Sequence, residues 1–221
     1  MRPFLIAITG GSGSGKSTLA RALAAALAPI PVTLVSEDDY YLDSASVPGF
    51  DAAAYNFDEP AARDHALLRA HLAALCAGET VAKPSYDFAH HARAPETTPL
   101  APAPEMSVEG IHVLCDDGLA DAFDLRVFVD TPESLRLGRR LVRDCAPLEA
   151  GGRARDPAGV FEQFFRTVAP MHDAHTGPSR ARADLVVADT EAFCAVGETP
   201  MAVAAAFIAA AVRERLAGHA R

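Results

Sequence analysis

Read by its apolar and polar positions, the chain alternates short apolar runs with longer amphipathic ones. Pro3 to Ile8 is a continuous apolar run of strand length, and Lys16 to Leu27 repeats leucine and alanine at helical spacing. Pro29 and Pro31 break that helix, and Val32 to Ser36 predicts a second strand. A helical pattern opens at Glu59-Pro60 and runs to Cys76, where Gly78 ends it. Thr80 to Tyr86, Phe88 to Arg93 and Thr97 to Leu100 are polar, aromatic and interrupted by proline, and they predict a small extended hairpin before the Pro-rich stretch Pro99 to Pro104. Met106 to Val113, Leu125 to Val129 and Ala183 to Val187 predict three further buried strands. Helices are predicted over Pro132 to Asp144, Pro157 to Met171 and Thr199 to Leu216. Apolar strands alternating with helices predict an α/β fold built on a parallel sheet flanked by helices. At 221 residues the chain fits one domain over 1–221, and its polar insertion, approximately 79–104, reads as a substrate flap.

The join between the first strand and the first helix carries the clearest chemistry. Gly10, Gly11, Ser12, Gly13, Ser14, Gly15, Lys16 and Ser17 fit G-x-x-x-x-G-K-[ST] completely, and strand and helix flank the motif as it requires. Backbone N–H groups left unpaired at a helix N-terminus form a nest for phosphate oxygens, and glycine lets the backbone approach them. Lys16 would then reach the β- and γ-phosphates, Ser17 would bring its hydroxyl to Mg²⁺, and Thr18 would meet the α-phosphate. Glu37, Asp38 and Asp39 follow the second strand, on the side of a parallel sheet where ligands bind; a solvated acidic turn is the alternative. Asp58 either caps the next helix or serves a ligand. Glu109 interrupts an apolar strand, which points to hydrated Mg²⁺ or to a structural ion pair.

Charge narrows the partners. The net charge of −9 and pI near 5.3 weigh against nucleic acid or an anionic membrane surface as the main partner, so an anion must be met locally. Lys16 and Lys83 are the only lysines, and 9 of the 18 arginines fall between Arg136 and Arg182. Arg136, Arg139, Arg140 and Arg143 pair at i, i+4 along one predicted helix; a shared anion explains such repelling neighbours better than helix stability does, with a solvated arginine face as the alternative. Cys76, Cys115, Cys145 and Cys194 form no C-x-x-C or Cys/His ligand spacing and read as reduced, buried thiols. The N-terminal apolar run is short for a signal peptide, and no segment reaches the length of a membrane span, so a cytoplasmic protein is predicted.

A phosphate cradle, a Mg²⁺ site, a carboxylate beside it and clustered arginines point together to phosphoryl transfer. In order along most of the chain stand GGSGSGKST, SEDDYY (Ser36 to Tyr41), NFDEP (Asn56 to Pro60) and PSYDFAHHAR (Pro84 to Arg93), then VEGIHVL (Val108 to Leu114), VFVDTPESLRLGRRLVRD (Val127 to Asp144) and GRARD (Gly152 to Asp156). With these blocks the chain resembles the uridine kinase (uridine-cytidine kinase) family, within the wider group that contains phosphoribulokinase. The resemblance implies a single phosphate-loop kinase domain using ATP or GTP with Mg²⁺ to phosphorylate a small-molecule nucleoside. It implies Asp38 as the base for the 5′-hydroxyl, Asp58 on the ribose, Tyr86 and His91 on the pyrimidine edge, and Phe57 and Phe88 packed around the base. Arg140, Arg143 and Gln163 match positions near the sugar and phosphates, and Arg153 and Arg155 match arginines of a lid over approximately 139–156. Leu114 stands where an aromatic often joins the base pocket, and Asp144 to Gly152 is longer than the usual lid connection. Family members often form homo-oligomers. The residues also leave open a kinase of another small hydroxylated acceptor (another nucleoside, a sugar phosphate, a vitamin precursor), or a regulator that binds NTP without being a kinase.

Overall fold

The computed structural model of the protein describes residues 2–150, 152–190 and 200–218; Gly151, Cys194 and Thr199, which figure in the patterns above, lie outside the described residues. In chain order the strands are β1 (Phe4–Thr9), β2 (Val32–Ser36), the short β3 (Val81–Lys83), β4 (Tyr86–Asp87), β5 (Ala92–Arg93) and β6 (Thr98–Leu100), then β7 (Glu105–Gly110), β8 (Leu125–Asp130) and β9 (Leu185–Ala188). The helices are α1 (Lys16–Leu27), α2 (His65–Cys76), α3 (Asp117–Ala120), α4 (Glu133–Cys145), α5 (Pro157–Gln163), α6 (Ala169–Met171), α7 (Gly177–Ser179) and α8 (Pro200–Gly218). Five strands pair in parallel in the order β2-β7-β1-β8-β9. All five therefore end on the same side of the sheet, where the phosphate loop follows β1.

Both faces of the sheet are covered, which is why its central strands read as unbroken apolar runs. Leu5 and Ala7 of β1 pack with Leu68, Leu72 and Leu75 of α2 on one face. Ile6 and Ile8 pack with Leu19 and Leu23 of α1 and Ile208 of α8 on the other. Each such buried side chain contributes about 1.5–3 kcal/mol over an exposed one. No helix among the described residues is long and apolar enough to cross a membrane.

Several elements differ from the sequence pattern for identifiable reasons. β7 ends at Gly110, not Val113, because the chain turns there around the Glu37 side chain: a Cβ on Gly110 would lie 2.3 Å from Glu37 Cβ. The amide of His112 donates to Glu37 Oε2 at 3.0 Å, and Thr9 Oγ1 donates to the Gly110 carbonyl at 2.9 Å. α2 begins at His65 after a 3₁₀ turn at Pro60–Ala62, and its cap is Asp64, which accepts from the Leu67 amide; Asp58 caps nothing. The single predicted hairpin is two nested ribbons, β3 with β6 and β4 with β5. β9 is an edge strand with Val187 as its one buried residue, so the strand was predicted more buried than it is. The helix predicted to end at Met171 continues to residue 182, through π-type turns at Phe164–Val168 and His172–Thr176. Each π-type turn precedes a proline, Pro170 or Pro178, whose missing N–H and bulky ring open the preceding turn. Cys76, Cys115 and Cys145 are free thiols, half-buried where full burial was expected.

Glu105, at the start of β7, is fully buried between the Phe4 and Val32 positions of the neighbouring strands. Ser107 Oγ donates to its Oε1 at 2.7 Å, and Oε2 has no partner. Burial pushes this carboxyl up to about 7 against the pull of the Ser107 hydroxyl. The unfolded chain loses the same proton near 4.5, so stability falls as pH rises from there through 7. Glu105→Gln is expected to raise Tm by several degrees at pH 8 and to leave it nearly unchanged at pH 4, as read by calorimetry at the two pH values.

Candidate active site

The loop between β1 and α1 is built to hold an anion. Gly15 stands at the N-cap of α1 in the left-handed region (φ 93°), and the first turn carries neither a capping side chain nor an acidic residue. Its N–H groups are therefore left for a ligand. Gly13 is also left-handed (φ 81°), and a Cβ there would lie 2.4 Å from the Arg136 carbonyl oxygen. α4 thus packs directly beneath the loop, with the Thr131 hydroxyl donating to the Ser14 carbonyl at 2.9 Å. Lys16 and Ser12 border a cavity of about 960 Å³ that opens from this loop toward the β4–β5 ribbon.

Behind Lys16, Ser17 and Glu109 come together from different elements. Ser17 Oγ donates to Glu109 Oε2 at 3.0 Å, and Ser36 Oγ donates to Oε1 at 3.0 Å. No group of three or more His, Cys, Asp or Glu side chains that could hold a metal alone occurs among the described residues. One hydroxyl and one carboxylate beside a phosphate loop fit a hydrated Mg²⁺, which takes few protein ligands and completes its shell with water and phosphate oxygens.

Asp38 faces the middle of the cavity, its side chain 46% exposed. Its neighbour Asp39 turns away and pairs with Lys83. Beyond Asp38 the wall is aromatic. Tyr41 and Tyr86 lie 5.0 Å apart between ring centroids, Tyr86 and Phe88 5.2 Å, and Phe57 stacks on His91 at 4.8 Å. The Tyr41 hydroxyl accepts from Arg63 Nη2 at 2.5 Å, and burial raises its pKa well above the ordinary phenol value, as it raises that of Tyr86 to about 12. Asp58 is buried beside this wall, and Thr167 Oγ1 donates to its Oδ2 at 2.8 Å. Arg93 fastens the ribbon from outside, its Nε donating to the Tyr41 carbonyl at 2.9 Å and Nη2 to Asp64 at 3.2 Å.

The arginines of α4 divide between different partners. Arg136 is buried under the phosphate loop, and Arg139 pairs with Asp189 at 2.7 Å. Arg140 reaches Ser12 Oγ at 3.0 Å and Gln163 Oε1 at 2.9 Å, and Arg155 donates to the same Gln163 oxygen at 2.6 Å. The fully buried Asp144 gathers Arg140, Arg143 and Arg153 at 3.3, 2.7 and 3.7 Å. Burial alone would raise its carboxyl, but the hydrogen bond from Arg143 and the charges of Arg143, Arg153 and Arg140 hold it low. Arg153 also lies over the Phe88 ring at 4.9 Å, which joins the 146–156 loop to the β4–β5 ribbon.

The structure thus brings Asp38, Phe57, Asp58, Tyr86, Phe88, His91, Arg140, Arg143, Arg153, Arg155 and Gln163 to one cavity with Ser12 and Lys16. Gly10, Gly11, Ser14, Ser17, Thr18 and Glu109 lie in or behind the loop rather than on the cavity wall. Leu114 is buried in the core and its carbonyl accepts from Arg182, so it does not belong to the aromatic wall. Tyr41, Arg63 and Thr167 line the cavity and were missed. Tyr41 stands inside SEDDYY and could have been read as a wall residue; nothing in the chain marks Arg63 or Thr167.

Residues 5–192 match the model of the Phosphoribulokinase / Uridine kinase family. A uridine kinase of Clostridium perfringens is 37% identical over 186 residues, 84% of this chain and 87% of that one. A uridine kinase of Chloroflexus aurantiacus is 37% identical over 201 residues, 91% of either chain. The structure of phosphoribulokinase from Rhodobacter spheroides is similar in fold, with a TM-score of 0.61 at 14% identity over 90% of this chain and 74% of that one.

Gly13→Ala is expected to push the loop off α4 and to weaken binding of a fluorescent nucleoside triphosphate analogue by about tenfold or more, the equivalent of roughly 1.4 kcal/mol. Titration of the analogue, beside a thermal melt to confirm folding, checks this; unchanged affinity would mean that the loop does not form the anion site.

Proposed function

The chain belongs to the phosphoribulokinase/uridine kinase family, and we propose that within it the protein transfers the γ-phosphate of ATP or GTP to the 5′-hydroxyl of uridine or cytidine. That it is a phosphotransferase acting on an alcohol group follows from the family and from its uridine kinase relatives. The observation that carries the finer reading is one cavity with a phosphate loop at one end, an aromatic wall at the other and the Asp38 carboxylate between them.

The donor triphosphate lies on the loop from Gly10 to Thr18, with Lys16 on its β- and γ-phosphates. Ser17 and Glu109 would hold Mg²⁺, which would supply positive charge beside the phosphates. The nucleoside base packs among Phe57, Tyr86 and Phe88, with Tyr86 and His91 presenting polar edges to it and Asp58 taking ribose hydroxyls. The 5′-oxygen then faces Asp38, which orients the hydroxyl and accepts its proton as the oxygen–phosphorus bond forms and the bridging oxygen leaves with the diphosphate. Arg140, Arg143, Arg153 and Arg155 lie where negative charge spreads over the transferring group, and closure of the 139–156 lid excludes water from it. Asp144 and Gln163 hold these arginines, so a bound triphosphate competes for guanidinium groups already gathered at the site.

A panel of nucleosides with ATP and Mg²⁺, read as monophosphate product, tests the acceptor. Uridine and cytidine are expected to turn over; if both are inert while another hydroxyl compound reacts, the acceptor assignment falls and the kinase assignment stands. Asp38→Asn is expected to lower kcat by roughly 10²–10⁴-fold with nucleotide affinity nearly unchanged. Near-normal turnover in that variant would remove Asp38 as the base.

A further inference from the structure

Asp38 has a fully buried cation behind it that the proposed reaction does not use. Arg63 leaves the 3₁₀ turn before α2 with its side chain 1% exposed. Its Nη2 donates to the Tyr41 hydroxyl at 2.5 Å and to Asp38 Oδ1 at 3.5 Å, and its guanidinium lies 4.2 Å from the centre of the Tyr41 ring. Nη1 donates to the Phe57 carbonyl at 3.2 Å and to His112 Nδ1 at 3.3 Å, while Nε stands 3.5 Å from Glu37 Oε2. Glu37 is itself buried and held by His65 Nε2 at 2.8 Å and by the His112 amide.

Two features separate this cluster from a bare structural ion pair. Glu37 already balances the charge of Arg63, yet the guanidinium is aimed past it toward Asp38 and Tyr41. Asp38 Oδ1 has Arg63 as its one side-chain partner among the described residues, so no other group orders this half-exposed carboxylate. His112 accepts at Nδ1 because arginine only donates, which leaves its proton on a buried Nε2 without a partner. Such an arrangement costs stability that an apolar cluster would not, so stability alone does not account for the charges standing there.

We propose that Arg63, set by Glu37 and His112, is the positioning residue for Asp38: it fixes the base against the Tyr41 wall so that the acceptor hydroxyl meets a carboxylate in one orientation. The inference rests on the reading of Asp38 as the base. The 3.5 Å contact is long for a charge-assisted bond and is of the kind that tightens once an acceptor is bound.

The test is a double-mutant cycle. Arg63→Met alone leaves Glu37 buried without its partner and is expected to unfold easily, so the working variant is the pair Glu37→Gln with Arg63→Met, which removes both charges. Arg63→Lys keeps the charge pair, and so the fold, but cannot span Asp38, Tyr41 and His112 together. In the paired variant kcat for the acceptor that turns over is expected to fall on the order of 100-fold, with KM for ATP changed by about twofold or less. With Asp38→Asn added, the pair is expected to cost nothing further, whereas its effect on Tm should be the same in both backgrounds. An equal loss of kcat in the Asp38 and Asp38→Asn backgrounds, or full activity in the paired and lysine variants, would overturn the proposal. If no nucleoside is phosphorylated by the unmodified protein, the acceptor assignment fails by itself, and crystal structures still read Asp38 directly. A carboxylate displaced in the paired or lysine variant sustains the positioning role, and one that keeps its place in both refutes it.

Discussion

The ion pair between Glu37 and Arg63 is the interaction on which the acceptor half of the molecule depends. Burial alone would push the Glu37 carboxyl up; Arg63, His65 and His112 overcome that cost and hold it down at about 2. Removing one partner of such a pair typically costs about 3–5 kcal/mol, since the other charge is left in a low-dielectric site. The two residues belong to segments far apart in the chain, one closing β2 and one entering α2, and the pair ties both to the point where β7 leaves the sheet. Glu37 fills the space under Gly110 and takes the His112 amide, so the exit of the central strand is shaped around a charge. Arg63 in turn supports Tyr41, the ring against which the ribbon residues Tyr86 and Phe88 pack. The aromatic wall therefore has an electrostatic foundation, and it stands beside the carboxylate on which the chemistry is proposed to depend.

The donor half obeys a different constraint. An acidic chain must still offer an electropositive surface to a triphosphate, and it does so by concentrating arginine along α4 and the loop that follows. Those cations repel one another across a few ångströms. Asp144, buried at the end of α4, meets three of them, and Gln163 accepts from two. Arg136 remains under the phosphate loop, where burial lowers its pKa and glycine at 11 and 13 allows the close approach of α4. Loop and arginine helix thus form one packed unit, and Arg153 over Phe88 carries that unit to the acceptor ribbon.

What could be read in the chain before folding follows from how far apart the interacting residues lie. The phosphate loop is a local motif of eight consecutive residues, and the structure places it at the join of β1 and α1 as the sequence pattern predicts. β1 and β8 are buried on both faces and announce themselves as apolar runs. Composition alone did not separate Asp38 from Asp39, which only the family resemblance distinguished, because Lys83 comes from the ribbon to claim one of them. Helical spacing put Arg136 with Arg140 and Arg139 with Arg143, but the fate of each guanidinium depends on Asp144, Asp189 and the loop, none of which periodicity reveals. Arg63 and His112 were invisible for the same reason: a buried charge is recognised by its partner, and here the partner is Glu37, long before either in the chain. The nested ribbons and the π-type turns before Pro170 and Pro178 were likewise beyond a reading that treats each segment alone.

The central claim is that the hydroxyl presented to Asp38 is the 5′-hydroxyl of a pyrimidine nucleoside. Proton-coupled phosphorus NMR of the product formed from uridine, ATP and Mg²⁺ tests it at the atom concerned. The account predicts a single nucleoside monophosphate resonance split into a triplet by the two protons on C5′. A doublet, which marks phosphorylation at the 2′ or 3′ oxygen, or the absence of any nucleoside monophosphate while ATP is bound, would contradict it.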